Sequence, residues 1–426
     1  MLFLYSYKKI LKAVQTDCNA DYNRVMNHCG LPYPVQECLS LLNESGYEAF
    51  VVGGAVRDMY LGRPVHDYDI TTNALPDQMK QVFAAHRTVE TGLKHGTLTV
   101  IINRMPVEIT TYRTESAYGD HRHPDAVAFT SDLAADCARR DFTINAMCFH
   151  PLEGVIDFYH GEDDLHRHII RTVGEPAERF REDALRILRA LRFASELDFT
   201  IEAGTAAAVH NARQDLSYVS AERIRNELQR LLAGPGHARI LRDYRDVVEV
   251  ILPELQILDE EQWLTMVQRL RGDDPEVLLA VLLTAVQNPE DVLKRLKYST
   301  ADTRAVLNLL ACRCDPVDTL YQRRQLLSRL CVPAGQYAAF RACLDPGQNK
   351  TELRASLQEI LDRGDCISLK QLAVRGTDIS ALGFQGRQIR TILHNLLDAV
   401  MRDEVPDEAG ALKAYAARFL PGQEKK

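Results

Sequence analysis

The sequence predicts an α+β head with a small mixed sheet, followed by an all-α body. Strand-like runs are confined to the first part of the chain: Ala49-Phe50-Val51-Val52, His66 to Thr71, Leu98 to Asn103 and Val107 to Tyr112. The last two flank the turn Asn103-Arg104-Met105-Pro106. Helical patterns separate them at Val35 to Asn43 and Ala55 to Tyr60. After about residue 175 strand signals all but vanish. Asp183 to Glu196 and Ser220 to Ala233 then carry apolar residues at spacings of three and four, as do further segments broken at Gly and Pro.

The bulk properties fit a globular protein. The chain has 426 residues, 46% hydrophobic and 26% charged, enough for about two to four domains. No apolar run approaches the roughly 20 residues needed to cross a bilayer, so no membrane partner is expected. The opening MLFLYSYKKILKAV is too short and polar for a secretory signal. Ten scattered cysteines, with no paired CxxC clusters, read as reduced thiols of a cytoplasmic protein. The net charge of -8 argues against indiscriminate nucleic-acid binding but leaves local basic surfaces open. One such surface is the arginine-rich stretch from Arg171 to Arg192.

The most informative stretch is Gly53-Gly54-Ala55-Val56-Arg57-Asp58, followed by Asp67-Tyr68-Asp69. Glycines between a strand and a helix let the backbone approach a phosphate closely. The helix N-terminus adds free N–H groups and partial positive charge, and Arg57 adds a charge-assisted contact. Asp67 and Asp69, two apart on a strand, project from one face. Their repulsion calls for a cation, and Mg2+ suits oxygen ligands shared with substrate phosphates. Glu108, at the start of the Val107 strand, is the third candidate, as a metal ligand or as acceptor of the attacking hydroxyl's proton. A lone Gly-Gly is usually a turn and a lone DxD usually a solvated edge. Their combination within seventeen residues is far more specific.

Two further constellations follow. In Arg139-Arg140-Asp141-Phe142-Thr143-Ile144-Asn145-Ala146 the arginines are candidate phosphate clamps, with Arg140 held by the adjacent Asp141. In Glu182-Asp183-Ala184-Leu185-Arg186-Ile187-Leu188-Arg189-Ala190-Leu191-Arg192 a continuous helix would put Asp183 and Arg186 on one face and the leucines in the core. Cytosine and adenine both pair a ring-nitrogen acceptor with an amino donor. Arg186 and Asp183 match those groups, whereas guanine and uracil reverse them and leave buried charges unpaired. Arg189 and Arg192 would face the triphosphate or RNA.

These residues resemble the class II tRNA nucleotidyltransferases and bacterial poly(A) polymerases. The resemblance rests on GGAVRDMYLGRPVHDYDITTNALP, TGLKHGTLTV, EITTYRTESAYGDHRHPDAVAF, RRDFTINA and VGEPAERFREDALRILRALRFA, in order between residues 35 and 235. It implies a nucleotidyltransferase palm in which Asp67 and Asp69 hold magnesium, Gly54, Arg57 and Arg140 meet the triphosphate, and Asp183 and Arg186 read the base, with Arg189 and Arg192 nearby. Thr114 to Phe129 resembles the family's flexible loop, which helps the site change from C to A addition. Ser220 to Leu228 resembles the helix that follows the neck.

The implied organisation is an N-terminal extension (1–34), a head (35–160), a nucleotide-binding neck (161–235), a helical body (236–365) and a helical tail (366–426). LAVRGTDISALGFQGRQIRTILHNLLDAV is similar to the tail of members without a phosphohydrolase domain, and residues 240–365 carry little recognisable motif. The implied activity is addition of C, C and A, from CTP and ATP, to the 3′ end of tRNA. A poly(A) polymerase, or a CC-adding or A-adding specialist, shares the same motifs. A catalytically silent RNA-binding relative would show a broken DxD or lack the arginine after Gly-Gly, and both are intact. The sequence leaves oligomeric state open.

Overall fold

The computed structural model describes residues 30–115 and 127–420. Residues 1–29, most of the expected extension, and residues 116–126, the middle of the expected flexible loop, lie outside them. The chain divides into two compact units, one ending at Pro253 and the other beginning at Glu254.

The first unit holds every strand among the described residues. Helix α1 (Tyr33–Glu44) leads into β1 (Ala49–Val52), α2 (Gly54–Leu61), β2 (Asp69–Thr72), α3 (Pro76–Val82) and β3 (Arg87–Val89). Then come β4 (Thr97–Ile102), β5 (Met105–Thr111), β6 (Arg113–Glu115), β7 (Val127–Phe129) and α4 (Leu133–Ala138). Next are β8 (Cys148–His150), β9 (Gly154–Ile156), α5 (Gly161–Arg167), β10 (Ile169–Ile170) and α6 (Pro176–Glu182). Helix α7 (Leu185–Leu197), β11 (Thr200–Ile201), α8 (Ala203–Ala212) and α9 (Ala221–Ala233) follow.

Seven strands form one sheet in the order β3-β4-β5-β2-β1-β8-β9. Only β2 and β5 run parallel, and the rest pair antiparallel. The hairpin β4–β5 turns through Asn103 and Arg104, both at positive φ (50° and 68°), which matches the twist of a two-residue connection. Leu98, Val100, Val107 and Ile109 are buried, as their alternation requires. β1 is buried along its whole length, because α1 packs against it while Phe50 and Val52 join Tyr112, Cys137 and Cys148 in a second apolar cluster.

The strand expected from His66 begins only at Asp69, and the reason lies in its neighbours. Asp69 is registered with Val52, the last residue of β1, before the chain turns away at Gly53. On the other side the parallel register would set Asp67 against Pro106, which has no N–H to give. Gly53 itself sits at φ 74° and ψ -134°, a conformation open essentially to glycine. α2 then ends on Gly62 at φ 67°, whose N–H and that of Arg63 bond back to Met59 and Asp58 at 3.2 and 2.8 Å.

From Glu254 onward the described residues contain helices and no strands. Trp263 is fully buried, and the helix Pro275–Leu283 is buried from Val277 through Leu283. The C-terminal segment has its own core of Leu372, Val374, Ile379, Phe384, Leu396 and Leu412. No helix among the described residues is long and apolar enough to cross a membrane. Because Gly53 needs its positive φ, Gly53→Ala should lower unfolding free energy by about 1–3 kcal/mol, read as a reduced urea midpoint.

Candidate active site

The acidic side of the site comes from the sheet. Asp69 is paired antiparallel with Val52 and parallel with Glu108. Residues in register on adjacent strands, about 4.8 Å apart, project to the same side, so the two carboxylates stand together. Asp67 and Asp69 line the same open cleft of about 480 Å³, together with Gly53 and Gly54. Glu108 does not line it. The Asp69 carboxyl is pushed up by loss of water around it, then by the Glu108 charge; Arg140 pulls it down, and Asp67 adds a smaller upward push. This repulsion fits a divalent cation, although no three His, Cys, Asp or Glu side chains among the described residues form a ready-made metal cluster.

The rest of the cleft lining is largely cationic. Arg57, Arg139, Arg140, Arg186, Arg189, Arg192 and Arg230 all line it, and each is tied to a carboxylate. Arg57 donates to Asp58 at 3.0 and 2.9 Å and to the Asn145 side-chain oxygen at 2.8 Å. Arg139 and Arg140 follow the end of α4 and reach back one turn to Asp136, at 2.9 and 3.3 Å. Arg140 is therefore not held by Asp141, as adjacency suggested. Neighbouring residues seldom face each other, whereas residues three and four apart on a helix do. The Arg140 Nε is buried without a hydrogen-bond partner among the described residues.

Asp141 instead binds Arg189 across 48 residues, at 2.6 Å, and also accepts from Asn145 Nδ2 at 3.1 Å. Despite its burial, Arg189 and Asn145 hold the Asp141 carboxyl down at about 2.

The helix expected to run unbroken from Asp183 is interrupted there. Asp183 is extended, φ -141° and ψ 103°, between α6 and α7. Its carboxylate accepts from the Leu185 N–H at 3.0 Å and from Arg223 at 2.7 Å; such local bonds are how aspartate competes with helix. Asp183 and Arg186 still line one cleft; the Arg186 N–H donates to the Asp183 carbonyl at 2.9 Å, but their side chains have other partners. Arg186 is held by Glu182 and by the carbonyls of Arg179 and Arg139 at 3.2 and 3.0 Å.

These arrangements of head and helices have counterparts in known proteins. A CCA-adding enzyme of Lactobacillus delbrueckii subsp. bulgaricus is 33% identical over 400 residues, covering 89% of this chain and 96% of that relative. The chain belongs to the CCA-adding enzyme family. Residues 49–171 match the model described as the poly A polymerase head domain, and residues 198–258 match the probable RNA and SrmB-binding site of polymerase A. The CCA-adding enzyme of Lactobacillus gasseri is 48% identical over 208 residues, and there the chain spans about half (52%) of the relative's length. The solved structure of the Bacillus stearothermophilus CCA-adding enzyme in complex with CTP is similar at a TM-score of 0.76 and 30% identity, covering 91% of this chain and 97% of that one.

Within this family frame the cleft gathers Gly54, Arg57, Asp67, Asp69, Arg140, Asp183, Arg186, Arg189 and Arg192. Arg192 differs from its neighbours. It is 1% exposed and bound to Glu227 at 2.5 Å and Glu196 at 2.7 Å, so its donors serve the fold. Three residues without an assigned role in the sequence also matter. Phe193 lies under the guanidinium groups of Arg57, Arg189 and Arg192 at 5.0, 5.2 and 3.8 Å. Asn145 joins Arg57 to Asp141, and Asp136 carries two arginines. Only Asp136 had a local signal, its spacing of three and four before Arg139 and Arg140.

The depressed Asp141 carboxyl carries a sign for stability. Its contribution is complete above 3.8 and is lost as pH falls toward about 2. Asp141→Asn should therefore cost about 1–3 kcal/mol at neutral pH, discounted because Arg189 keeps part of its surface in water. Urea titrations should show that deficit shrinking between those two pH values.

Proposed function

We propose that this chain adds C, C and A, from CTP and ATP, to the 3′ end of tRNA by metal-dependent nucleotidyl transfer, in the cytoplasm. The observation that carries the reading is one cleft lined together by the Gly53-Gly54 turn, Arg140, Asp67, Asp69, Asp183 and Arg186. Membership of the CCA-adding family, and similarity to a relative solved with CTP, support the same assignment. In this reading residues 35–160 are the catalytic head, 161–235 the neck, 236–365 the body and 366–426 the tail.

The reaction forms a bond between the terminal ribose 3′ oxygen and the α-phosphorus of the incoming nucleotide, and it breaks the bond to pyrophosphate. Gly53 and Gly54 admit the triphosphate to the start of α2, while Arg140 and Arg139 take its negative charge. Magnesium ions held by Asp67 and Asp69 would supply charge stabilisation at the attacking and leaving oxygens. Glu108, paired with Asp69 in the sheet though outside the cleft lining, would complete the metal site or accept the hydroxyl proton. Asp183 accepts from the exocyclic amine of C or A and Arg186 donates to the adjacent ring nitrogen. Uracil and guanine present the reverse pattern. Glu182 and two backbone carbonyls already orient Arg186, so selection by Arg186 starts from a fixed guanidinium.

The test uses purified protein, Mg2+, labelled CTP or ATP, and tRNAs lacking one, two or all three terminal nucleotides. Addition that stops after CCA supports the reading. Long A tails would instead indicate a poly(A) polymerase, and a stop after CC or acceptance of A alone would indicate a specialist. Asp67→Ala and Asp69→Ala should each reduce incorporation by about 10²–10³-fold or more, with the folded fraction unchanged by circular dichroism. Arg186→Ala should relax the preference for C and A over U and G by about 10²-fold, measured as relative kcat/KM.

A further inference from the structure

Asp136 lies on α4, outside the cleft lining, and has no solvent exposure. A carboxylate so buried is costly unless its oxygens are well bonded. Here four groups from three parts of the head converge on it. Arg139 donates from Nε to Oδ1 at 3.0 Å, and Arg140 from Nη2 to Oδ2 at 3.3 Å. Thr71, two residues beyond Asp69 on β2, donates its hydroxyl to Oδ2 at 3.1 Å. The backbone N–H of Arg113, the first residue of β6, donates to Oδ1 at 3.2 Å. Arg139 and Arg140, which border the cleft, and the Arg113 N–H hold the Asp136 carboxyl below its ordinary range despite its burial.

We infer that Asp136 is a positioning residue for nucleotide addition: it sets Arg139 and Arg140 against the strand that bears Asp69, and it anchors there the root of the β6–β7 hairpin. This rests on the reading of the cleft as a triphosphate site. The geometry favours positioning over simple core filling, because an apolar residue would fill the same space without orienting any donor. Among the described residues, Arg140 has no other carboxylate partner within 4.0 Å. Losing the charge at 136 therefore frees its guanidinium to turn out of register with the phosphates. Arg139 loses an ion pair in the same step; in Asp136→Asn the one remaining oxygen still accepts from the Arg113 N–H, while an NH2 group replaces the oxygen that Arg140 and Thr71 share. The effect belongs mainly to nucleotide binding, since Asp67 and Asp69 stay where the sheet puts them.

The experiment compares Asp136→Asn with Asp164→Asn in the full-length protein. Asp164 is likewise a buried carboxylate, bound to Thr143 at 2.7 Å and to Arg171 at 3.1 Å, but neither of these partners lines the cleft, as Arg139 and Arg140 do. Steady-state CMP and AMP addition to tRNA acceptors is measured together with melting temperature. Asp136→Asn should raise KM for both CTP and ATP about tenfold or more while kcat moves less than about threefold. Asp164→Asn should lower the melting temperature and leave KM unchanged. An Asp136→Asn protein that is folded, with wild-type KM, overturns the inference, and so does an equal KM rise in Asp164→Asn. If Asp136→Asn does not fold, Asp136→Ser is judged by the same split. Direct titration of each protein with CTP separates the two levels: a wild type that binds CTP but adds nothing to tRNA refutes the proposed function, whereas equal CTP affinity of wild type and variant refutes the role of Asp136.

Discussion

Holding many like charges around one cleft before any ligand arrives is the constraint on which this head depends. Seven arginines line the cavity, and mutual repulsion in a partly dry site would open it unless each were compensated. The compensation is distributed. Asp58, Asp136, Asp141, Glu182, Glu196 and Glu227 each take at least one guanidinium. Glu196 takes both Arg192 and Arg230. These acids orient the arginines as well as neutralise them, because a planar guanidinium bonded on one edge presents its remaining donors in a fixed direction. Phe193 completes the arrangement by giving three of them an aromatic surface to lie on.

The acidic corner is built on the opposite rule. Asp67, Asp69 and Glu108 form no ion pair with a lysine or arginine among the described residues, and burial, then the Glu108 charge, raises the Asp69 carboxyl. A site that left its arginines bare and paired its aspartates would suit an anion alone. Paired arginines beside unpaired aspartates suit an anion that arrives with a cation, as a nucleoside triphosphate does. The contrast between the two corners says more about the ligand than either corner does.

The sheet brings the corners together. One row across it runs Glu108, Asp69, Val52 and Cys148, and Val52 leads directly into Gly53. The carboxylates of Asp69 and Glu108 and the Gly53-Gly54 turn are thus neighbours by register. α4 packs over the same face: Cys137 meets Cys148 at 3.4 Å in the apolar cluster, and Asp136 meets Thr71. The buried side of that helix fixes where Arg139 and Arg140 emerge.

Much of this was legible along the chain. The hairpin around Asn103, α7 and α9 follow from periodicities of two and of three to four, and the strand before Gly53 from a short apolar run, all of them local properties of the sequence. The Gly-Gly turn and the two aspartates pointed to a phosphate and a cation only through their combination, since either one alone has commoner uses. The ends of elements and the partners of charges were decided elsewhere. β2 starts late because its neighbours on both sides stop offering hydrogen bonds at Asp67, and α7 starts late because the Asp183 carboxylate caps the backbone instead of continuing it. Asp141 lies 48 residues from Arg189 in sequence, and Arg192 lies 35 from Glu227. Sequence determined which charges the head contains; only the folded chain decided which are spent on one another, because an ion pair is a matter of distance in space and no local pattern encodes it.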